Sequence, residues 1–211
     1  ERLRRACQLQ PHISWASESD ALANYRRSLD AVAELAVDTV VSGHGDPFGD
    51  LAERAAEINE AFLRWVDRDR GKPFFALLNY MDTHDPYLPP QPYRNKFSKR
   101  NEPGGILNWR VGRNEPQLSQ AQLRDEIDGY DGAIAYVDEH IGRLLAKLAQ
   151  RGHGKDTIIV ITSDHGESFG EHGLFLHGNG LSPQEIRVPF IFWWPGQVPA
   201  GVRVARPVSN V

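Results

Sequence analysis

Apolar residues recur along this chain in two rhythms, and the first is helical. Over residues 21–36, Leu22, Tyr25, Leu29, Val32 and Leu35 or Ala36 share one face. Leu51, Ala55, Ile58, Phe62 and Trp65 repeat the spacing, with Asp50 placed to cap the start and Arg70-Gly71-Lys72-Pro73 to end the helix. The longest series is Leu123, Ile127, Tyr130, Ile134, Val137, Ile141, Leu144 and Leu148, at alternating steps of four and three, until Gly152-His153-Gly154 stops it.

The second rhythm is the short unbroken apolar run. Thr39-Val40-Val41 reads as a short strand, while Phe74-Phe75-Ala76-Leu77-Leu78, Thr157-Ile158-Ile159-Val160-Ile161 and Val188-Pro189-Phe190-Ile191-Phe192-Trp193 read as buried ones. Each runs into polar or turn-forming residues: Ser42-Gly43-His44-Gly45-Asp46-Pro47, residues 79–87, Ser163, and Pro195-Gly196. Between the middle helices, residues 88–116 are dense in Pro, Gly, Asn and Arg and predict a long irregular surface excursion. Strands alternating with long helices predict an α/β fold, a mainly parallel sheet flanked by helices. Neither an internal repeat nor a low-complexity tract interrupts the pattern.

Composition narrows the class. The 211 residues, 40% hydrophobic and 25% charged, suit one soluble globular domain with a substantial core. The net charge of -4 comes from scattered residues, without the basic stripe that nucleic acid would require. No apolar run approaches the roughly 20 residues that cross a bilayer, and no signal peptide is visible. The single cysteine, Cys7, excludes an intrachain disulfide framework and fits a reducing compartment without requiring one. The charged start without Met and the abrupt end at Pro207-Val208-Ser209-Asn210-Val211 lead us to expect a fragment.

In an open parallel sheet, ligands collect beyond the carboxyl ends of the strands. Two predicted strands deliver polar residues there: Asp82, His84 and Asp85 after the first, Asp164, His165 and Glu167 after the second. A carboxylate and an imidazole at a strand-to-loop turn, with Gly166 permitting the turn, suit one divalent ion. Oxygen ligands favour Ca or Mg, and an imidazole shifts the preference towards Mn or Zn. The same residues also describe a capped turn in which Asp164 bonds backbone amides and His165 is simply exposed. His84 adds a second imidazole, able to contact an anionic substrate or protonate a leaving oxygen. Leu176-His177-Gly178-Asn179-Gly180 adds a third cluster, with His172 also at hand. Taken singly each is an ordinary surface histidine; three clusters in phase with strand ends carry more weight.

Four segments together resemble one family. Pro73-Phe74-Phe75-Ala76-Leu77-Leu78-Asn79-Tyr80-Met81-Asp82-Thr83-His84-Asp85-Pro86-Tyr87 looks like the sulfatase segment that places a substrate-facing histidine. Tyr130-Asp131-Gly132-Ala133-Ile134-Ala135-Tyr136-Val137-Asp138 resembles the helix that follows it. Residues 157–173, with Ser163-Asp164-His165-Gly166-Glu167 and Gly170-Glu171-His172-Gly173, resemble the metal-binding strand end and its loop, and Arg187-Val188-Pro189-Phe190-Ile191 the next strand. The match to the sulfatases of the alkaline phosphatase superfamily runs from about Ala56 onward in the family's order.

The resemblance implies an alkaline phosphatase-like α/β fold, here incomplete, and metal-dependent hydrolysis of a sulfate ester, on a small molecule or a sulfated glycan. It makes Asp164 and His165 ligands of one divalent cation, with Ca favoured over Mn, Mg or Zn. It makes His84 a contact to the sulfate or its leaving oxygen. His177 falls near the position where many sulfatases place a substrate-binding lysine, which leaves phospho- and phosphonate-ester hydrolysis or transfer open. A non-catalytic domain binding an anion or glycan in the same cleft is a further alternative. The family's nucleophile, a formylglycine made from cysteine in a Cys-x-Pro-x-Arg motif, is expected upstream. Cys7 is followed by Gln8-Leu9-Gln10 and does not qualify, so this chain alone is expected to be inactive. Tyr93, Arg94, Lys96, Arg100, Trp109 and Arg110 in the long loop either meet a sugar or form solvated surface.

Residues 1–50 read as a separate segment, a linker or a tail, before a partial sulfatase-like domain at 51–211. Pro11-His12-Ile13-Ser14-Trp15, Asn24-Tyr25-Arg26-Arg27-Ser28-Leu29 and residues 39–47 resemble the C-terminal part of a metallo-β-lactamase-fold hydrolase. That would make His44 a metal ligand. A glycine-rich turn with a solvent-facing His44 is preferred, because the earlier metal-binding histidines of that fold are missing.

Overall fold

The computed structural model describes residues 54–68, 73–98, 118–178 and 180–209. The predicted helix at 21–36, the strand at 39–41, Asp50, His44, Arg100, Trp109 and Arg110 lie outside the described residues. One compact unit holds residues 54–68, 73, 77–98, 118–178 and 180–200; Phe74–Ala76 and residues 201–209 belong to another.

Helix α1 (Arg54–Arg68) buries Ala55, Ile58 and Phe62 of the predicted stripe, with Asn59, Leu63 and Val66 beside them; Trp65 is half-buried and Leu51 lies outside the described residues. At its start the Ala55 N–H donates to Asp82 Oδ1 at 3.3 Å, so a carboxylate from a remote loop satisfies an amide of the first turn. Helix α2 (Gln120–Leu148) opens on a capping box: Ser119 Oγ accepts from the Gln122 N–H at 3.3 Å while Gln122 Oε1 accepts from the Ser119 N–H at 3.0 Å. A wider turn, Ala149–His153, ends it, with Gly152 at φ 93, where a side chain would be strained.

The buried face of α2 matches the predicted one at Leu144 and Leu148 and is rotated away from it earlier in the helix. Glu126, Gly129, Gly132, Ala133, Tyr136, His140, Leu144 and Leu148 point inward, whereas Ile134 is exposed and Leu123, Ile127, Tyr130, Val137 and Ile141 are half-buried. The glycines explain the rotation. A Cβ at Gly129 would stand 2.7 Å from the Tyr87 carbonyl oxygen, and one at Gly132 2.6 Å from that of Tyr93. The loop through Tyr87 and Tyr93 therefore lies directly on the helix backbone, and the glycine face turns inward to admit it. Tyr93, expected at the surface, is buried with Ala55 and Tyr136 and donates its hydroxyl to Glu139. Asn59 ties the layers, donating to the His140 carbonyl at 2.9 Å and accepting from the Tyr80 hydroxyl at 2.6 Å.

The strands depart further from expectation. Strands β1 (Ile159–Thr162) and β4 (Phe190–Trp193) pair antiparallel, Ile159 opposite Trp193 and Thr162 opposite Phe190. Between them β2 (Ser168–Phe169) and β3 (Phe175–Leu176) form a small antiparallel hairpin. Parallel pairing needs a long crossover, and among the described residues the one α-helix between β1 and β4 is α3 (Pro183–Ile186), one turn long. The mainly parallel sheet is thus not seen among the described residues, where both strand pairs are antiparallel. Residues 74–78 form no strand, and Phe75 and Leu77 are 52% and 73% exposed, which corrects the expected buried strand. An apolar run becomes a buried strand only with a paired neighbour and covered faces, and Phe75 and Leu77 have their faces open. β4 is likewise exposed at all four positions. No helix among the described residues is long and apolar enough to cross a membrane.

Candidate active site

Three polar segments of the larger unit meet at the end of β1. The first is the loop after residue 80, turned by a bond from the His84 N–H to the Met81 carbonyl at 3.0 Å and laid on α2 at Tyr87. It presents His84, whose Nδ1 stands 2.8 Å from the Asp85 carbonyl and 2.9 Å from Asp85 Oδ1.

The second is the turn that ends β1. Ser163 Oγ donates to the His165 carbonyl at 2.7 Å, and the His165 N–H donates to Asp164 Oδ1 at 3.0 Å. His165 Nδ1 lies 2.9 Å from the Gly166 carbonyl. Gly166 was expected to permit the turn; its demand is closeness instead. Its N–H donates to the Glu185 carbonyl at 2.6 Å, and a Cβ there would fall 2.0 Å from the Gln184 carbonyl oxygen.

The third is the β2–β3 hairpin, which returns the chain to His177. Leu176, just before it, has φ 63, a left-handed conformation that costs a bulky residue about 1–2 kcal/mol and is kept by the surrounding bonds. Buried Glu185 supplies some of them, accepting from Ser168 Oγ at 3.3 Å and from the Gly178 N–H at 3.1 Å.

Together these segments gather three imidazoles. The His165 and His177 rings stack with centroids 4.1 Å apart, and His84 meets His177 edge-on at 5.1 Å. His177 Nδ1 is 3.0 Å from Glu167 Oε1, and Glu167 Oε2 accepts from the Tyr87 hydroxyl at 2.7 Å. All three rings thus face an oxygen with Nδ1. A carbonyl or carboxylate only accepts, so each neutral ring carries its proton on Nδ1 and offers the lone pair of Nε2. Beneath them Tyr87, Tyr130 and Phe169 form a triangle of rings, 5.2 to 5.5 Å between centroids. Burial first, then Glu167, pushes the Tyr87 phenol well above its ordinary value, and the same two causes raise Tyr130. Both remain neutral donors.

Asp164 holds the other half of the predicted ion pair of ligands. Its side chain is 86% exposed, with Oδ2 3.7 Å from His165 Nε2. Donors side by side on one ion, at bonds of about 2.3–2.6 Å, stand about 3.3–3.7 Å apart, so this pair fits two positions of a calcium-sized coordination shell. Among the described residues no three His, Cys, Asp or Glu side chains come together as a metal cage. His172 is exposed on the turn Glu171–Gly173, apart from the three rings. Arg94 donates to the Pro89 carbonyl at 3.2 Å, and Lys96 lies 5.8 Å from the ring centroids of both Tyr93 and Phe97.

Sequence reading placed Glu167 at the strand end without a role and overlooked Tyr87 and Glu185. The available signal was a carboxylate two residues beyond His165, facing a turn that also delivers a tyrosine.

Comparison with known proteins settles the family. The sulfatase family model matches residues 12–211. The chain belongs to the sulfatase family. The match begins within the segment that the sequence set apart as residues 1–50. This sulfatase chain is similar to an arylsulfatase of Clostridium perfringens, 31% identical over 160 residues, covering 68% of the chain and 32% of the relative. It is also similar to the phosphatidylethanolamine transferase Mcr-1 of Escherichia coli, 31% identical over 133 residues, 61% of the chain and 23% of the relative. Among solved structures, the phosphonate monoester hydrolase of Agrobacterium radiobacter shares the fold, with a TM-score of 0.57 at 24% identity over 74% of the chain and 36% of that protein. The chain therefore spans about a third or less of the length of these relatives.

Proposed function

We propose that this sulfatase chain supplies the metal-holding and leaving-group side of a site that hydrolyses sulfate esters. The observation that carries the reading is the gathering of His84, His165 and His177, each with Nδ1 committed and Nε2 on offer, beside Asp164. Asp164 Oδ2 and His165 Nε2 would hold a divalent cation, with Ca favoured by the resemblance to sulfatases and Mn, Mg or Zn as alternatives. Such an ion supplies positive charge that offsets the anionic ester. Once Nε2 has taken up a proton from solvent, so that the ring is an imidazolium, His84 and His177 would stabilise or protonate the departing alkoxide through that N–H. The mainly parallel sheet of an alkaline phosphatase-like domain belongs to the same proposal, with a sulfate-ester small molecule or sulfated glycan as substrate.

The nucleophile comes from elsewhere in such a domain, because Cys7 heads Cys-Gln-Leu-Gln rather than Cys-x-Pro-x-Arg. The 211-residue chain by itself is predicted not to turn over an aryl sulfate, and robust metal-dependent turnover by it would sink this part of the account. A second reading, phosphoryl-ester hydrolysis or transfer, is favoured by His177 at a position where many sulfatases carry lysine and by the likeness to Mcr-1. Paired aryl sulfate and aryl phosphate assays, on the protein with the nucleophile segment present, separate them. The leading reading predicts the faster rate on the sulfate.

A further inference from the structure

The three imidazoles of the site are not held in the same way. His84 and His165 bond oxygens of the next residue in the chain, Asp85 and Gly166. His177 bonds Glu167, ten positions back, and Glu167 is itself bonded by Tyr87 from eighty positions away. The Glu167 side chain is only 5% exposed, whereas that of His177 is 25% exposed. Burying a carboxylate is costly unless donors satisfy it. Here each oxygen has one donor, Tyr87 Oη on Oε2 and His177 Nδ1 on Oε1, under the Tyr87, Tyr130 and Phe169 rings.

We propose that Glu167 is the positioning residue for His177, fixing its tautomer as Nδ1–H and its aim so that Nε2 faces the reacting ester. This rests on, and deepens, the reading of His177 as a group that meets the leaving oxygen. A carboxylate has no proton to give, so the neutral imidazole against it must place its proton on Nδ1 and leave Nε2 as the acceptor. The burial of Glu167 limits the water that would otherwise compete for its oxygens, which strengthens the bond. Tyr87 is bonded to the other carboxylate oxygen and leaves Oε1 to His177. A Leu in place of Glu167 keeps much of the volume but removes the acceptor, so that nothing holds the His177 proton on Nδ1.

The test reads ring nitrogens rather than rates. Long-range ¹⁵N–¹H spectra of the full 211-residue chain labelled at histidine, without metal or ester and well above the ordinary imidazole pKa, report which nitrogen of each ring carries the proton. Wild-type His177 is expected as Nδ1–H. Glu167→Leu is expected to move the proton to Nε2, exchanging the two ring ¹⁵N shifts, with His84 and His165 unchanged. Tyr87→Phe leaves the carboxylate in place and is expected to keep Nδ1–H. An Nε2–H form in the wild type, retention of Nδ1–H in folded Glu167→Leu, or its loss in Tyr87→Phe would each overturn the proposal. If Glu167→Leu does not fold, the wild-type and Tyr87→Phe spectra still decide. Because no ester is present, a failure here leaves the choice of reaction untouched, and a wrong reaction leaves the tautomer result standing.

Discussion

The pair α1 and α2 and the pair β1 and β4 are both built from apolar runs, yet they behave oppositely. The helices close on each other and bury Ala55, Phe62, Tyr136 and Leu144. The strands join along one edge, and β4 stays exposed at every position. A hydrogen-bonded ladder satisfies the backbone without removing side chains from water. A stable layer needs a second layer against it. The difference teaches that stability in the described part of the molecule resides in the helical layer and in the glycine-lined loop docked on it.

Substitutions can break or sharpen that contrast. The largest effect is expected at Phe62, 3% exposed: Phe62→Ala should lower unfolding free energy by about 3–5 kcal/mol in urea denaturation. A loss below about 1 kcal/mol would deny the helical layer its place. A middle effect is expected from pH. Burial first, then the Arg143 charge, holds His140 below its ordinary 6.5, with Glu139 pulling the other way. The folded state then binds fewer protons than the unfolded one. Stability is complete above that ordinary value and is lost as pH falls below it towards the depressed folded-state value. His140→Leu should flatten this part of the denaturation-midpoint profile; an unchanged slope would assign it to other groups. The smallest effect belongs to the strands. Ile191→Ala, at a position 51% exposed, should cost less than about 0.5 kcal/mol, and a loss near that of Phe62→Ala would place β4 in a core.

Legibility followed the same divide. Helical spacing located α1 and α2, because a 3.6-residue period survives whatever packs against it. It found the inward face of α2 at Leu144 and Leu148 but misjudged it around Gly129 and Gly132, which carry no hydrophobicity and act by letting two carbonyls approach. The runs at Ile159–Thr162 and Phe190–Trp193 announced strands, but composition cannot say whether faces are covered. At the site, residue types alone drew attention to Asp164, His165, His84 and His177. Which nitrogen each ring presents was invisible, because it depends on contacts such as Tyr87 to Glu167, eighty residues apart. Gly166 shows the same limit: the need for glycine was visible, while its cause, the Gln184 carbonyl, arrives from a later turn.

The central claim is that Asp164 and His165 form two positions of a divalent-cation site beside the other imidazoles. Titrating Mn²⁺ into the ¹⁵N-histidine-labelled chain tests it most directly, because a paramagnetic ion broadens nearby ring signals even when it binds weakly. The account predicts that His165 broadens first, with its stacked neighbour His177 next, and that Asp164→Ala removes this selectivity. Equal broadening of all histidines, or the same selective loss at His165 in Asp164→Ala, would contradict it.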